Sequence, residues 1–304
     1  MKNSPDEATR IAAIIVTRKR HALLRQSVQA VRDQTRPLDE IIVIDNDSDD
    51  GTRQWLAQQA DLTVIHQGNV GGAGGFHRGI KEGYARRHDW FWCMDDDTIA
   101  QPDALQRLCE APPFGEEKTG FLGSLVKWSD GSIHKMNMWI TPPGGARNVD
   151  WFASVLDDKC IPAETSTFVS ILIHRRAVER VGLPIKEMFI WCDDAEYTHR
   201  ISGHFSNYHV LNSIVLHKTP ENKGGDFDTI TPAEYFKLSY GLRNDVYLRR
   251  VVKGHPLFKA LRIATYLVMQ TRLLLKNRAP FYLVRSLWSG LFFRPRIEKV
   301  RPLR

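Results

Sequence analysis

Trp90-Phe91-Trp92-Cys93-Met94-Asp95-Asp96-Asp97 decides how the chain is read: five apolar residues run directly into three carboxylates. A short apolar run bounded by polar residues reads as a buried strand, here Trp90–Met94. Three adjacent carboxylates at a strand end repel one another unless they share a cation. Mg²⁺ and Mn²⁺ take carboxylate oxygens together with substrate phosphate. For the triplet alone, a solvated turn or a helix cap made by Asp97 before Thr98 is the plainer alternative.

Upstream, apolar runs alternate with helical patterns. Strands are predicted at Ile11–Val16, Ile41–Asp45 and Leu62–His66, and helices at Leu23–Gln34, Thr52–Ala60 and Phe76–Arg87. Parallel strands need crossover connections, so this order predicts an α/β fold with a mostly parallel sheet flanked by helices. Such sheets bind ligands outside the carboxyl ends of their strands. Thr17-Arg18, Asp45-Asn46-Asp47 and Asp95-Asp96-Asp97 stand at those ends and should meet in one crevice. Asn69-Val70-Gly71-Gly72-Ala73-Gly74-Gly75-Phe76 lies between the third strand and the next helix. Its glycines allow close backbone approach to a phosphate or sugar at a helix N-terminus. A tight turn is the alternative. The dinucleotide fingerprint does not fit, because the run follows the third strand and its spacing differs.

Downstream, Thr167–His174 and Val210–His217 read as strands, Asp193–Ser202 as a helix closed by Gly203, and Pro112-Pro113, Pro142–Gly145 and Pro220–Gly225 as loops. Adjacent helical positions point about 100° apart, so Asp193 and Asp194 divide their work. One can take a proton while the other orients a substrate, and a helix N-terminus favours both in the ionised form. Simple charge complementarity at the helix start is the alternative. His217, at a strand end, can complete an oxygen-rich metal site or serve as an ordinary hydrogen-bonding residue. G-x-S-x-G and Walker-type motifs are absent.

The length of 304 residues and 42% hydrophobic content accommodate a large α/β domain with an appendage. The net charge of +7 is uneven: Val246 to Arg304 holds 14 Lys/Arg against one acid, Glu298, leaving the rest acidic on balance. Helices are expected at Ala233–Val252 and Leu257–Lys276, followed by the apolar stretch Phe281–Phe293. None reaches the roughly 18 uninterrupted apolar residues of a membrane span. Apolar and basic together, the tail suits an anionic membrane surface, or it packs on the main domain or a second copy. Cys93, Cys109, Cys160 and Cys192 form no C-x-x-C pair, which speaks for reduced thiols. Met1–Arg10 is polar, so a cytoplasmic protein is expected, peripheral on the inner face of the bacterial membrane. Nucleic acid is not among the expected partners.

Together these residues resemble the family 2 glycosyltransferases of the GT-A fold, Rossmann-like nucleotide-diphospho-sugar transferases, and among them the bacterial galactofuranosyltransferases. The resemblance spans Ile11 to Asn244 and rests most specifically on Asn-x-Gly-Gly-Ala-Gly-Gly-Phe at Asn69–Phe76 and Trp-x-Asp-Asp-x-Glu-Tyr at Trp191–Tyr197. Tyr240-Gly241-Leu242-Arg243-Asn244 looks like the Tyr-x-x-Arg-Asn element of such enzymes. The resemblance implies a catalytic domain over residues 1–232, with a donor half at about 11–110 and an acceptor half at about 111–232, and a basic helical region over 233–304. It implies a UDP-sugar donor held by Thr17, Arg18, Asp45, Asn69, Gly74, Gly75, Arg78, Asp95 and Asp96. Mn²⁺ or Mg²⁺ would bind Asp95, Asp97 and His217, Asp194 would be the general base, and Trp191, Asp193 and Glu196 would line the acceptor pocket. The acceptor would be a glycan or lipid-linked glycan of cell-surface polysaccharide such as O-antigen. Cys192 departs from relatives that carry Trp immediately before the acidic pair. Lacking the long N-terminal β-rich domain of the polymerising mycobacterial enzyme, the chain is expected to add one or a few residues. Rhamnosyl or hexopyranosyl transfer on the same fold, nucleotidyl transfer, and carbohydrate binding without turnover are the alternatives, and association of copies stays open.

Overall fold

The computed structural model describes residues 9–137, 149–223 and 232–301. Its elements are β1 (Ile11–Thr17), α1 (His21–Arg32), β2 (Glu40–Asn46), α2 (Thr52–Leu56), β3 (Leu62–Gln67), α3 (Gly71–Ala85), β4 (Trp90–Asp95), β5 (Thr98–Ala100), α4 (Ala104–Glu110), β6 (Thr119–Lys127), α5 (Val149–Asp158), β7 (Cys160–Pro162), β8 (Ile171–His174), α6 (Arg175–Val181), α7 (Asp193–Ser202), β9 (Ser206–His217), α8 (Tyr235–Val251), α9 (Pro256–Lys276) and α10 (Phe281–Ser289). The loop expected at Pro142–Gly145 and the end of the one at Pro220–Gly225 lie outside the described residues.

One nine-stranded sheet runs β3-β2-β1-β4-β8-β6-β9-β5, with β7 paired to β9. Its first four strands are parallel. β1 is buried at every position because apolar layers cover both faces of the sheet. Ile11, Ala13, Ile15, Trp90 and Trp92 pack toward α1 and α4, while Ala12, Ile14, Phe91 and Cys93 pack toward α3 and α6. Burying each large side chain of this kind contributes roughly 1.5–3 kcal/mol.

The sheet is mixed rather than mostly parallel. Beyond β4 the pairings β4–β8, β6–β8, β5–β9 and β7–β9 are antiparallel and only β6–β9 is parallel. The two residues between β4 and β5 are too few for a crossover, so β5 leaves its neighbour and pairs with β9 at the far side of the sheet. Three boundaries also differ from expectation. α2 stops at Leu56, β8 starts only at Ile171, and α3 starts at Gly71, so the glycine run forms the first turns of a helix and not a loop before it.

The C-terminal helices share a core of Leu238, Leu242, Val246, Leu267, Leu283 and Leu287, against which Trp191 packs. After α10 the chain returns to the α/β layer, where Leu183 N donates to Glu298 O at 2.9 Å and the Glu298 carboxylate meets Lys81 Nζ at 2.7 Å. No helix among the described residues is long and apolar enough to cross a membrane.

Candidate active site

Strand register brings the polar ends together. Thr17 on β1 lies opposite Asp45 on β2, and Val16 lies opposite Asp95 on β4. Asp96 and Asp97 form the turn into β5, whose first residue, Thr98, pairs across to His217 at the end of β9. Asp95, Asp97 and His217 thereby offer ligand atoms that all lie within 4.8 Å of one another.

The surroundings of His217 fix its proton. Asn137 Nδ2 donates to Thr167 Oγ1 at 2.9 Å, which leaves Asn137 Oδ1 facing His217 Nδ1 at 2.9 Å. With Nδ1 donating, Nε2 is the ring atom that faces Asp97 Oδ1, 3.2 Å away. That buried oxygen has no hydrogen-bond partner of good geometry. A shared cation, or a proton on Nε2, satisfies both atoms. Two carboxylates and an imidazole oriented by an amide fit a divalent ion of the Mn²⁺ or Mg²⁺ class.

Burial, then the charges of Asp97 and Asp96, push Asp95 well above the usual carboxylate range, against the pull of Arg20. Burial likewise raises Asp96 to about 6 despite Arg20 and a 2.7 Å hydrogen bond from Thr17 Oγ1. At Asp97 burial also raises the pKa, but His217 and Arg20 outweigh it and the group ends below its ordinary value. Arg20 Nη1 contacts Asp97 and lies 3.4 Å from Asp96 Oδ1, so one guanidinium spans the triplet. Sequence reasoning missed Arg20. Its only signal was the basic run Arg18-Lys19-Arg20 behind β1.

The other expected donor residues are spread more widely. Asp45 is fully buried and accepts from Ser48 N, Arg53 Nε and His66 Nδ1 at 3.0, 3.1 and 2.9 Å. The Arg18 amide reaches Asp96 Oδ2 at 3.3 Å while its side chain is exposed. Asn69 is exposed and accepts from Gly71 N at 3.1 Å. Arg78 projects from α3 and pairs with Glu82 at 2.9 Å. Gly74 and Gly75 are occupied by packing: a Cβ at Gly75 would stand 2.4 Å from Val16 Cγ1, and one at Gly74 2.4 Å from Val70 Cγ2. Gly72 is the glycine of this run with open space beside it.

The second acidic pair opens α7 as expected, and Asp193 lies within electrostatic reach of the first: its charge adds to those raising the pKa of Asp95. The expectation that both stay ionised is corrected. Burial and the charge of Asp194 lift Asp193 to about 8, and burial lifts Asp194 to about 6, outweighing the backbone hydrogen bonds at the helix start. Burial and mutual repulsion therefore favour a proton held on the pair. Glu196 is engaged within the protein. It is buried, both of its oxygens accept from Arg200 at 3.0 Å, and Arg200 in turn holds the carbonyls of Val181 and Leu183. Its carboxylate braces α7 through this ion pair. Trp191 is half-buried against α8, where a Cβ at Gly241 would stand 2.4 Å from its ring.

The model of glycosyl transferase family 2 matches residues 12–182, more than half of the chain. Galactofuranosyltransferase GlfT1 of Mycolicibacterium smegmatis is 27% identical over 261 residues, covering 78% of this chain and 82% of that protein. GlfT1 of Mycobacterium tuberculosis strain H37Rv is 27% identical over 206 residues, 63% of this chain and 64% of that one. Among solved structures, GalNAc-T7 with UDP, GalNAc and Mn²⁺ superposes with a TM-score of 0.58 at 16% identity, covering 81% of this chain and 48% of its own. The mannosyltransferase PcManGT from Pyrobaculum calidifontis, in complex with GDP-Man and Mn²⁺, gives 0.52 at 16% identity, with 95% and 75% covered. These structural likenesses are of fold.

Proposed function

We propose that this chain, which belongs to glycosyl transferase family 2, transfers galactofuranose from UDP-galactofuranose to a glycan or lipid-linked glycan with inversion at the anomeric carbon. The observation that carries this reading is the meeting of two acidic groups remote in sequence. Asp95, Asp97 and His217 cluster at the sheet edge, and the start of α7 brings Asp193 within electrostatic reach of Asp95. The choice of galactofuranose is supported by the glycine and Trp-x-Asp-Asp-x-Glu-Tyr motifs and by likeness to GlfT1 over most of both chains.

Asp95, Asp97 and His217 would hold Mn²⁺ or Mg²⁺, which when bound offsets the negative charge that gathers on a departing diphosphate. Thr17, Arg18 and Asp45 would hold the donor, and Arg20 places a fixed positive charge beside the acidic turn. On the acceptor side the two carboxylates divide the labour. Ionised Asp194 takes the proton of the acceptor hydroxyl as its oxygen forms the bond to the anomeric carbon, and the bond to UDP breaks with its electron pair. Asp193, whose pKa is raised by burial and by the Asp194 charge, can in its protonated form donate a hydrogen bond that orients the acceptor. Residues 1–232 would form the catalytic unit, and 233–304 would present a basic face to an anionic membrane.

The decisive experiment incubates the pure protein with Mn²⁺, short synthetic galactosides and a donor panel of UDP-galactofuranose, UDP-hexopyranoses and dTDP-rhamnose. Galactofuranosylated product of inverted configuration is expected. Turnover with another sugar alone would replace the donor, and pyrophosphate release from a nucleoside triphosphate would replace the reaction.

A further inference from the structure

The Tyr240–Asn244 element lies outside the residues matched by the family model and has no part in the chemistry just described. It sits on α8, yet its contacts are with the segment that leads into Asp193. That segment is strained. Phe189, Trp191 and Cys192, none of them glycine, have φ of 66°, 65° and 64°. Such conformations persist only where the surroundings enforce them.

Five successive carbonyls of this segment are each gripped from outside it. Arg243 Nη2 donates to Glu187 O at 2.7 Å. Asn244 Nδ2 donates to Met188, Ile190 and Trp191 O at 2.9, 3.1 and 2.9 Å. The remaining carbonyl, Phe189 O, accepts from Ala73 N in the first turn of α3 at 3.1 Å. Asn244 is fully buried, and its orientation is set because Oδ1 accepts from Arg243 Nε and Nη2 at 3.0 and 2.9 Å. Two side chains of the segment are seated by the same element. The Phe189 ring stacks on Tyr240 with centroids 4.6 Å apart, and the Trp191 ring fills the space left by Gly241.

We infer that Asn244, oriented by Arg243, is a positioning residue for the transfer reaction: by collecting the carbonyls of Met188, Ile190 and Trp191 it sets where α7 begins and hence where Asp194 stands. The inference rests on the reading of Asp194 as the base. α8 thus completes the acceptor site from the C-terminal side. A base displaced by about 1 Å costs on the order of a hundredfold in rate while substrates still bind.

The test uses the full chain with Mn²⁺, UDP-galactofuranose and a synthetic galactoside, or the donor that the panel selects. Asn244→Asp keeps the shape of the side chain but turns an oxygen toward three carbonyl oxygens. Gly241→Ala disturbs the Trp191 seat without removing a hydrogen bond, and it carries the test if Asn244→Asp does not yield folded protein. For each, kcat is expected to fall about a hundredfold while donor KM and UDP affinity measured with Mn²⁺ stay within about twofold. Unchanged kcat in folded variants would overturn the inference, as would loss of UDP affinity in step with kcat, which marks general disruption. Asp194→Asn, run alongside, separates the two readings. If it is active the base assignment fails; if it is inactive while Asn244→Asp is normal, only the positioning role fails.

Discussion

At the scale of single residues, chemistry here depends on which groups are stripped of water. Asp194 lies near 6 and Asp193 near 8 because burial outweighs the helix terminus. The base form of Asp194 is the ionised one, present above its pKa and lost as pH falls through it. The transfer rate under saturating substrates should therefore drop about tenfold per pH unit below about 6, and a profile flat down to about pH 4.5 would exclude Asp194. His217→Ala removes a ring whose Nε2 lies 3.2 Å from Asp97. Mn²⁺-dependent UDP binding should weaken by roughly tenfold or more, the scale on which loss of an orienting or ligating contact acts, while metal-free UDP binding measured by calorimetry stays unchanged. The acidic turn and His217 could be placed at strand ends from the sequence, but their grouping as one set came from the family resemblance, and the structure brings Asp95, Asp97 and His217 together. The roles of Arg20, Asn137 and Asn244 were not legible there. Asn137 acts on a histidine 80 positions away, and nothing local to it signals that partner. The protonation of Asp193 was misjudged for a related reason, since burial is a property of the packed molecule and not of the helix start.

At the scale of elements, α3 shows how one motif serves several ends. Its glycines looked like a ligand loop, and the alternation of strands and helices around them was read correctly. What periodicity could not show is that α3 lies so close to β1 that Gly75 and Gly79 have no room for a Cβ. A Cβ at Gly75 would stand 2.4 Å from Val16 Cγ1, and one at Gly79 2.3 Å from Ile14 Cγ2. Gly75→Ala should destabilise the protein by about 1–3 kcal/mol, because overpacking outweighs the helix propensity gained. Gly72→Ala meets open space and should be neutral or stabilise by up to about 1 kcal/mol. Urea unfolding monitored by circular dichroism distinguishes the two, and equal destabilisation at both positions would refute the packing account. The mixed half of the sheet escaped the sequence for a comparable reason. β5 and β7 have only 3 residues each, too short for their period to stand out from the surrounding loops, and periodicity at Thr167–His174 carries no sign of the direction in which that strand pairs.

At the scale of the whole molecule, the C-terminal helices have two apolar sides. α9 buries Ile263, Leu267 and Leu274 in the core shared with α8 and α10. Its opposite side leaves Leu257, Leu261, Val268 and Leu275 exposed, and Phe258 and Met269 beside them are 65% and 63% exposed. Arg262, Arg272 and Lys276 fall along that outer arc at about 100° per residue. An apolar stripe flanked by cations matches an anionic lipid surface better than a second copy, which would set like charges against one another. Because α8 grips the segment before Asp193, removing the C-terminal region would damage the acceptor site as well as any membrane contact, so point substitutions make the cleaner test. Replacing Phe258, Leu261 and Met269 together with Ser should abolish flotation with vesicles containing phosphatidylglycerol while Mn²⁺-dependent UDP binding is retained. Raising salt should release the unsubstituted protein only in part, since apolar burial is not screened. Flotation that survives the triple substitution would move the contact elsewhere, and binding to neutral vesicles equal to that on anionic ones would remove the basic residues from the account.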